Sequence, residues 1–563
     1  MILLVLLLMF VQALSELYLP TLMSDIVDIG ITRGDTHYIM RVGLFMLLIT
    51  AIGAVCAIVA GFFSSRVAMG YGKLLRSKVF AHVESFSLQE FDQIGTASLI
   101  TRTTNDITQI QMVILLGMRF FVSAPIMAIG GLTMAIHEDP GLSWVIAAAI
   151  PVLVLVILFI AGQSIPLFKA MQVKVDNLNR VLRENLTGIR VIRAFNRIDY
   201  EKARFNEANL DLTATAIRVN KILAAMMPTM MLIMNLTTIA IVWFGGLRIN
   251  TGEMQVGSLM AFLQYAMQIM FSMVMLSMMF VMFPRAAASA TRIVEVLEIA
   301  PVIKDPEVFL SKPPQKHGEL AFKNVTFRYP GAEQPALEGV TFQAGPGEIT
   351  AIIGGTGSGK STLISLIPRF YDVDSGSILI DGVDIRTMTQ AELRSRIGYV
   401  PQKALLFSGT IAENIRYGKD DATDQEVRQA AETAQALEFI NEMKDQMETV
   451  IAQGGTNVSG GQKQRLAIAR AFVRKPEIFI FDDSFSALDF KTDARLRAAL
   501  RRETRDTTVI IVAQRVSTVM DADRILVLDD GLLVGIGTHR ELLKTCDVYR
   551  EIVSSQLSEE EIG

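Results

Sequence analysis

Residues 349–367 read ITAIIGGTGSGKSTLISLI. An apolar stretch that suits a buried strand leads into Gly354-x-x-x-x-Gly359-Lys360-Ser361, and a helical pattern follows from Thr362. This is a phosphate-binding P-loop between the strand and helix it requires. Gly354, Gly355, Gly357 and Gly359, with Thr356 and Ser358 between them, let successive backbone N–H groups converge on phosphate oxygens. Lys360 offers a point charge to the outer phosphates, and the Ser361 hydroxyl suits Mg²⁺. The expected ligands are ATP and Mg²⁺, with Thr362 closing the cradle.

Downstream, Ile478-Phe479-Ile480-Phe481-Asp482 is an all-apolar run ending in a carboxylate, the Walker B pattern that sets a metal-binding aspartate beside a P-loop. Between the two lies Val458-Ser459-Gly460-Gly461-Gln462, opening the helical pattern KQRLAIARAFV. The N–H groups at that helix start are suited to a phosphate.

Upstream the composition changes. The 563-residue chain is 51% hydrophobic with a mean hydropathy of +0.39, which excludes a wholly soluble enzyme. Its 53 basic and 57 acidic residues give a net charge of -4, so nucleic acid is excluded as a partner. Cys56 and Cys546 have neither metal-ligand nor redox spacing, and no disulfide or zinc site is expected.

Six apolar segments fall near residues 1–22, 40–64, 115–136, 141–162, 223–245 and 257–283, each long enough to cross about 30 Å of hydrocarbon as a helix. The first has no basic residue before it and Arg33 is the first arginine, so it reads as a transmembrane helix and not a signal peptide. A run that is apolar from Met1 onward is what a shortened start would leave. The gaps of about 50 and 60 residues after the second and fourth segments keep helical patterning, so these helices are expected to run well past the bilayer. The gaps carry Arg66, Lys73, Arg76 and Lys78, then Lys169, Lys174, Arg180, Arg183, Arg190, Arg193 and Arg197, which places them in the cytoplasm by the positive-inside rule. The short loops at 25–38, 137–140 and 248–255 are then outside. DPEVFLSKPPQKHGE, residues 305–319, combines proline, glycine and charge and marks a boundary. The expected division is a transmembrane domain over 1–300, a linker over 301–318 and a nucleotide-binding domain over 319–563.

The order P-loop, SGGQ, Walker B resembles the nucleotide-binding domain of ATP-binding cassette (ABC) transporters, and the resemblance spans essentially the whole chain. The implied fold is an all-α six-helix transmembrane domain with long cytoplasmic extensions, fused to an α/β P-loop domain, as in exporters of that family. By the resemblance, Tyr329 of FRYP stacks on adenine, and Gln402 of YVPQ is the Q-loop residue, sharing Mg²⁺ with Ser361 and Asp482. Ser486-Ala487-Leu488-Asp489 is the D-loop. Ser459, Gly460, Gly461 and Gln462 form the signature that faces the ATP of a second cassette. Coupling helices are implied near 89–95 and 195–201.

Two residues depart from the family. Asp483 stands where it has a glutamate that polarises water, and Gln514 where it has a histidine at the γ-phosphate. The aspartate carboxylate is one methylene short, and an amide carries no positive charge near neutral pH. With Asp489 these are the candidate catalytic residues, and they imply slow hydrolysis at an otherwise intact binding site. Val458 replaces the usual leucine in an otherwise matching signature. The chain therefore resembles the degenerate half of a bacterial heterodimeric multidrug exporter, partnered by a homologous half-transporter in the cell membrane.

Inside the membrane, Glu16 is the one acid of the first apolar run and is expected to face protein or a polar cavity. Gln264 and Gln268, one turn apart, and a crowd of methionines from Met226 to Met282 suit a surface that repacks around amphipathic small molecules. Lipid or peptide export, or a non-transporting ATP-binding regulator, are the alternatives.

Overall fold

The computed structural model describes residues 1–306 and 318–557, so most of the expected linker, residues 307–317, lies outside the described residues. The chain divides into two compact units, one built from Met1–Glu84 with Ala97–Ile299, the other from Ser85–Thr96 with the chain from Ala300 onward.

In the first unit, six helices are long and apolar enough to cross a membrane: α1 (Ile2–Ile31), α2 (Thr36–Glu84), and, after the short α3 (Leu88–Ile94) of the other unit, α4 (Thr96–Glu138), α5 (Ser143–Thr187), then beyond the short α6 (Ile189–Ala194), α7 (Ile198–Asn250) and α8 (Val256–Glu298). At 43 to 53 residues, α2, α4, α5, α7 and α8 extend well past the bilayer span, as the helical gaps led one to expect. Pro125 and Pro228 lie inside these helices, a position that membrane helices accept more readily than soluble ones.

The helices pack chiefly as pairs: α1 on α2, α4 on α8, and α5 on α7. Small residues set the closest approaches. A Cβ at Gly130 would sit 2.4 Å from Leu17 and one at Gly131 2.9 Å from Ile269, so α4 lies against both α1 and α8 only because these positions are bare. A buried cluster with Leu17, Ala135, Ile146, Ile241, Phe262 and Tyr265 joins five helices at the end of the bundle that carries the short loops. There the Asp28 carboxylate accepts from the Gly257 N–H at 2.6 Å and the Ser258 N–H at 3.0 Å, capping the start of α8. Tyr265 donates to the Leu17 carbonyl at 3.0 Å and shares a 2.6 Å hydrogen bond with Thr21. Asp139 is buried against Arg248 at 2.8 Å, and Asp106 against Arg292 and Ser289.

The two expected coupling segments differ in outcome. Ser87 and Glu90 form a capping box that starts α3, and Gly95 at φ 80° stops it, one residue from the expected span. The second segment needs correcting: Phe195–Arg197 is a turn with Asn196 at φ 52°, and the short helix lies earlier, at Ile189–Ala194. A left-handed residue cannot continue a helix, so Asn196 separates α6 from α7.

In the second unit, β1 (Leu320–Phe327), β2 (Leu337–Ala344), β4 (Ser375–Ile380) and β5 (Val383–Asp384) form an antiparallel sheet in the order β2-β1-β4-β5. β3 (Ile349–Gly354), β6 (Ile397–Val400), β9 (Ile478–Asp482), β10 (Thr508–Val512), β11 (Arg524–Asp529) and β12 (Leu532–Gly537) form a second sheet, ordered β12-β11-β3-β10-β9-β6 and parallel except at β12. β7 (Gly409–Thr410) and β8 (Val450–Ile451) make a small ladder. Every residue of β9 and β10 is buried, which is why they read as unbroken apolar runs. Arg396, 5% exposed, reaches Asp381 at the β4–β5 turn and Glu477 before β9, and so ties the two sheets together. Ala300–Pro306 already belongs to this unit: Ile303 is buried, and the Val302 N–H donates to the buried Glu90 of α3 at 3.2 Å.

Candidate functional site

β3 delivers the P-loop to the C-terminal edge of the parallel strands, and α9 (Lys360–Leu366) leaves from it. Two glycines here are obligatory on steric grounds. A Cβ at Gly354 would lie 2.1 Å from the Leu528 carbonyl, and Gly359, at φ 95°, faces the Ala336 carbonyl at 2.8 Å. Lys360 spans the loop, donating to the carbonyls of Gly354 at 3.0 Å and Gly355 at 2.5 Å. Burial lowers its pKa, while Asp483 and Asp482 nearby pull it back up. Tyr329 leans over the start of α9, its hydroxyl 3.0 Å from that of Thr362, with Tyr371 edge-on to its ring at 5.5 Å.

Asp482 ends β9 near Lys360 and Ser361; burial first, and the charge of Asp483 second, push its carboxyl up to about 6. A further cation beside Asp482 favours its charged form. That donor set fits Mg²⁺, with Ser361 and Asp482 as direct candidates and Gln402 beside them. Asp483 is 9% exposed and sits at φ 46°, a left-handed conformation that aspartate accepts more readily than glutamate. Its carboxylate accepts from Gln402 Nε2 at 3.3 Å, joining the Q-loop to the position after Walker B.

The P-loop, Tyr329, Gln402, Asp482 and Asp483 are thus gathered in one place, while Gln514 and the signature take up other work. Gln514 is exposed, and its carbonyl accepts from Gln556 Nε2 at 2.9 Å, while Gln556 Oε1 accepts from the Val516 N–H at 2.8 Å. Ser459 caps α10 (Gly460–Val473) in a reciprocal box with Gln462, so the signature stands at a helix start with Gly460 open. Asp489 caps the following helix through the Thr492 N–H at 2.9 Å, which holds its carboxyl below the usual range.

Two contacts were not foreseen. Gln464, 2% exposed, donates to the Pro401 carbonyl at 3.3 Å and links the signature helix to the Q-loop. Gln556, beyond α11 (Asp547–Ser554), clasps the segment around Gln514 from 42 residues away, and no local pattern announces it. Gln556→Ala removes both hydrogen bonds and is expected to cost about 1–2 kcal/mol. Faster amide exchange at 514–518 checks this, and protection equal to that of the unmodified chain contradicts the clasp.

Glu16 Oε1 accepts from Gln12 at 2.9 Å, its carbonyl accepts from Gln268 at 3.3 Å, and Gln264 is exposed. Met230, Met270 and Met279 are buried in packing, Met227, Met231 and Met267 face outward, and the side chain of Met278 lies outside the described residues.

The profile described as ABC transporter transmembrane region matches residues 2–273, and that described as ABC transporter matches 337–486. An uncharacterized ABC transporter ATP-binding protein of Mycobacterium tuberculosis is 44% identical over 559 residues, covering 99% of this chain and 96% of the relative. A fatty acid ABC transporter ATP-binding/permease protein of Mycobacterium bovis is 36% identical over 479 residues, 85% of this chain and 75% of the relative. A solved structure of a bacterial Atm1-family ABC exporter with ATP bound superposes with a TM-score of 0.82 at 27% identity, over 99% of this chain and 98% of that one. With membrane helices and nucleotide cassette fused in one polypeptide, the chain belongs to the ABC transporter family and has the Atm1-family exporter fold.

Proposed function

We propose that the chain is one half of a heterodimeric exporter that moves amphipathic molecules out of the cytoplasm, binding ATP at a site that hydrolyses it slowly. The carrying observation is the pair Asp483 and Gln514 at the two positions that act on the γ-phosphate, beside an intact P-loop. Asp483 places its carboxylate short and engages it with Gln402. The Gln514 amide donates a hydrogen bond yet neither accepts a proton nor carries charge near pH 7. Lys360, Ser361, Thr362, Tyr329 and Asp482 remain to hold nucleotide and Mg²⁺. Ser459–Gln462, with Gly460 open at the start of α10, serves the nucleotide of the partner, whose own site does the fast chemistry.

The second tip of the membrane unit supports an association of two chains. Val191, Phe195, Ile198 and Tyr200 are all exposed there, Phe195 at 74%, which is an apolar knob suited to a partner's cassette. The test compares the chain purified alone with the chain co-expressed with a homologue carrying Glu and His at the two positions. ATP turnover near background alone, and substrate-stimulated turnover with uptake into inverted vesicles for the pair, is the expected result. Brisk turnover by the chain alone refutes the asymmetric reading. Among cargoes, the kinship with a fatty acid transporter favours molecules with long alkyl chains over peptides.

A further inference from the structure

The membrane-spanning part of α4 contains one basic residue, Arg119, within a run otherwise made of apolar and small side chains. Among the described residues no carboxylate pairs with it. At the bilayer centre an arginine costs about 2.5–3.5 kcal/mol on insertion scales, whereas near the boundary its guanidinium reaches head groups or water. Arg119 is 19 residues before Glu138, the end of α4. At 1.5 Å per residue this is about 28 Å along the helix, close to the inner boundary of a hydrocarbon layer about 30 Å thick.

Arg119 lines a cavity of about 250 Å³ between α1, α2 and α4, together with Met9, Gln12, Ser64, Ser65 and Leu115. No acidic residue lines it. Glu16, the nearest acid along α1, has its carboxylate engaged by Gln12 on the same helix. Ser64 is 5% exposed, and its hydroxyl oxygen is buried with no hydrogen-bond partner. A buried hydroxyl left unpaired costs about 1–3 kcal/mol. The cavity therefore offers a planar cation and an unused donor to a ligand that must bring negative oxygens. Its volume is below the roughly 300–1,000 Å³ of sites that enclose a whole drug-sized molecule, so it suits a head group and the first part of a chain.

We propose that this cavity binds the head group of an anionic amphiphile, a carboxylate or phosphate taken by Arg119 and Ser64, with the alkyl chain passing into the surrounding hydrocarbon. Arginine grips two oxygens at once through its guanidinium fork, and the Ser64 hydroxyl donates to one of them. The depth of Arg119 matches that of head groups in the inner leaflet, where cargo bound for export is collected. The assignment names the cargo class of the exporter reading and rests on it for orientation, while binding itself needs neither ATP nor transport.

The test uses the full chain in nanodiscs of phosphatidylcholine without nucleotide. Probes are cis-parinaric acid, a fluorescent C18 fatty acid, and its uncharged methyl ester; lysophosphatidic acid and lysophosphatidylcholine serve as competitors. The acid is expected to bind at least 10-fold more tightly than the ester. Loss of a charge-assisted pair should make Arg119→Gln bind the acid about 10- to 100-fold more weakly and leave the ester unchanged. Arg119→Lys should keep most of the affinity, and Ser64→Ala should lose a few-fold. Displacement by lysophosphatidic acid assigns a phosphate head, and its failure assigns a carboxylate; either supports the site. Equal binding of acid and ester, or loss of both on Arg119→Gln in protein that still binds a fluorescent ATP analogue, overturns it. If Arg119→Gln does not assemble, Arg119→Lys and Ser64→Ala decide by the same acid-to-ester ratio. Selective binding without ATP-driven transport would count against the exporter reading and not against this site.

Discussion

Asp483→Glu combined with Gln514→His is expected to raise ATP hydrolysis at this site by about 100-fold. A catalytic group misplaced by about 1 Å loses about that factor, and one methylene is a displacement of that order. The histidine adds a group able to carry a proton and positive charge at the γ-phosphate. Either change alone should return much less, because residues that act as a unit are not additive. Nucleotide affinity should barely move, since Lys360, Ser361 and Tyr329 are untouched. The readout is single-turnover hydrolysis in a pair whose other site carries Glu→Gln, so that only this cassette is counted. A flat rate would mean that something besides these two side chains disables the site. Asp483 sits in the left-handed region, so the glutamate should lower stability slightly, and that loss serves as an internal check that the substitution reached the intended backbone.

Arg396→Ala is expected to destabilise the cassette by about 3–5 kcal/mol, because it leaves carboxylates uncompensated at the joint between the two sheets. Arg396 and Asp381 are each 5% exposed, and Arg396 Nε also holds Glu477 at 2.6 Å. Arg396 directly precedes β6, which leads to Gln402, so nucleotide-dependent signals passing through the Q-loop should weaken too. Heat unfolding of the full chain, followed by protection of the cassette from proteolysis, gives the measurement. Asp381→Asn should cost less, because the side-chain oxygen that accepts from the Glu319 N–H at 2.9 Å is retained. Equal stability of Arg396→Ala and the unmodified chain would show that the joint is held by apolar packing instead.

Much of the design was open to reading in one dimension. Residues 349–367 and 478–482 carry strand, loop and carboxylate in order, and the structure places them on one sheet with β10 between them. The membrane helices were equally visible, because about 20 apolar residues have few other fates. What stayed hidden depends on contacts distant in sequence or on single backbone conformations. Asn196 shifts the second tip helix by taking a left-handed conformation that an asparagine adopts only where its surroundings ask for it. Gln464 and Gln556 look like ordinary surface amides until folding brings Pro401 and the 514–516 backbone to them. Arg119 does not stand out in the sequence because its neighbours make the segment read as uniformly apolar.

The ties between α1 and α8 have a mechanical consequence. Gln268 holds the Glu16 carbonyl, Tyr265 holds Leu17 and Thr21, and Asp28 holds the first amides of α8, so the two rods are pinned at three heights. Rods fastened that way swing as one lever and cannot slide or part without breaking every pin. The α5–α7 hairpin packs mainly on itself and meets these rods at the end that carries the short loops, through Ile146, Ile241 and the pair of Arg248 with Asp139, so that end is the one place where a push on the lever reaches it.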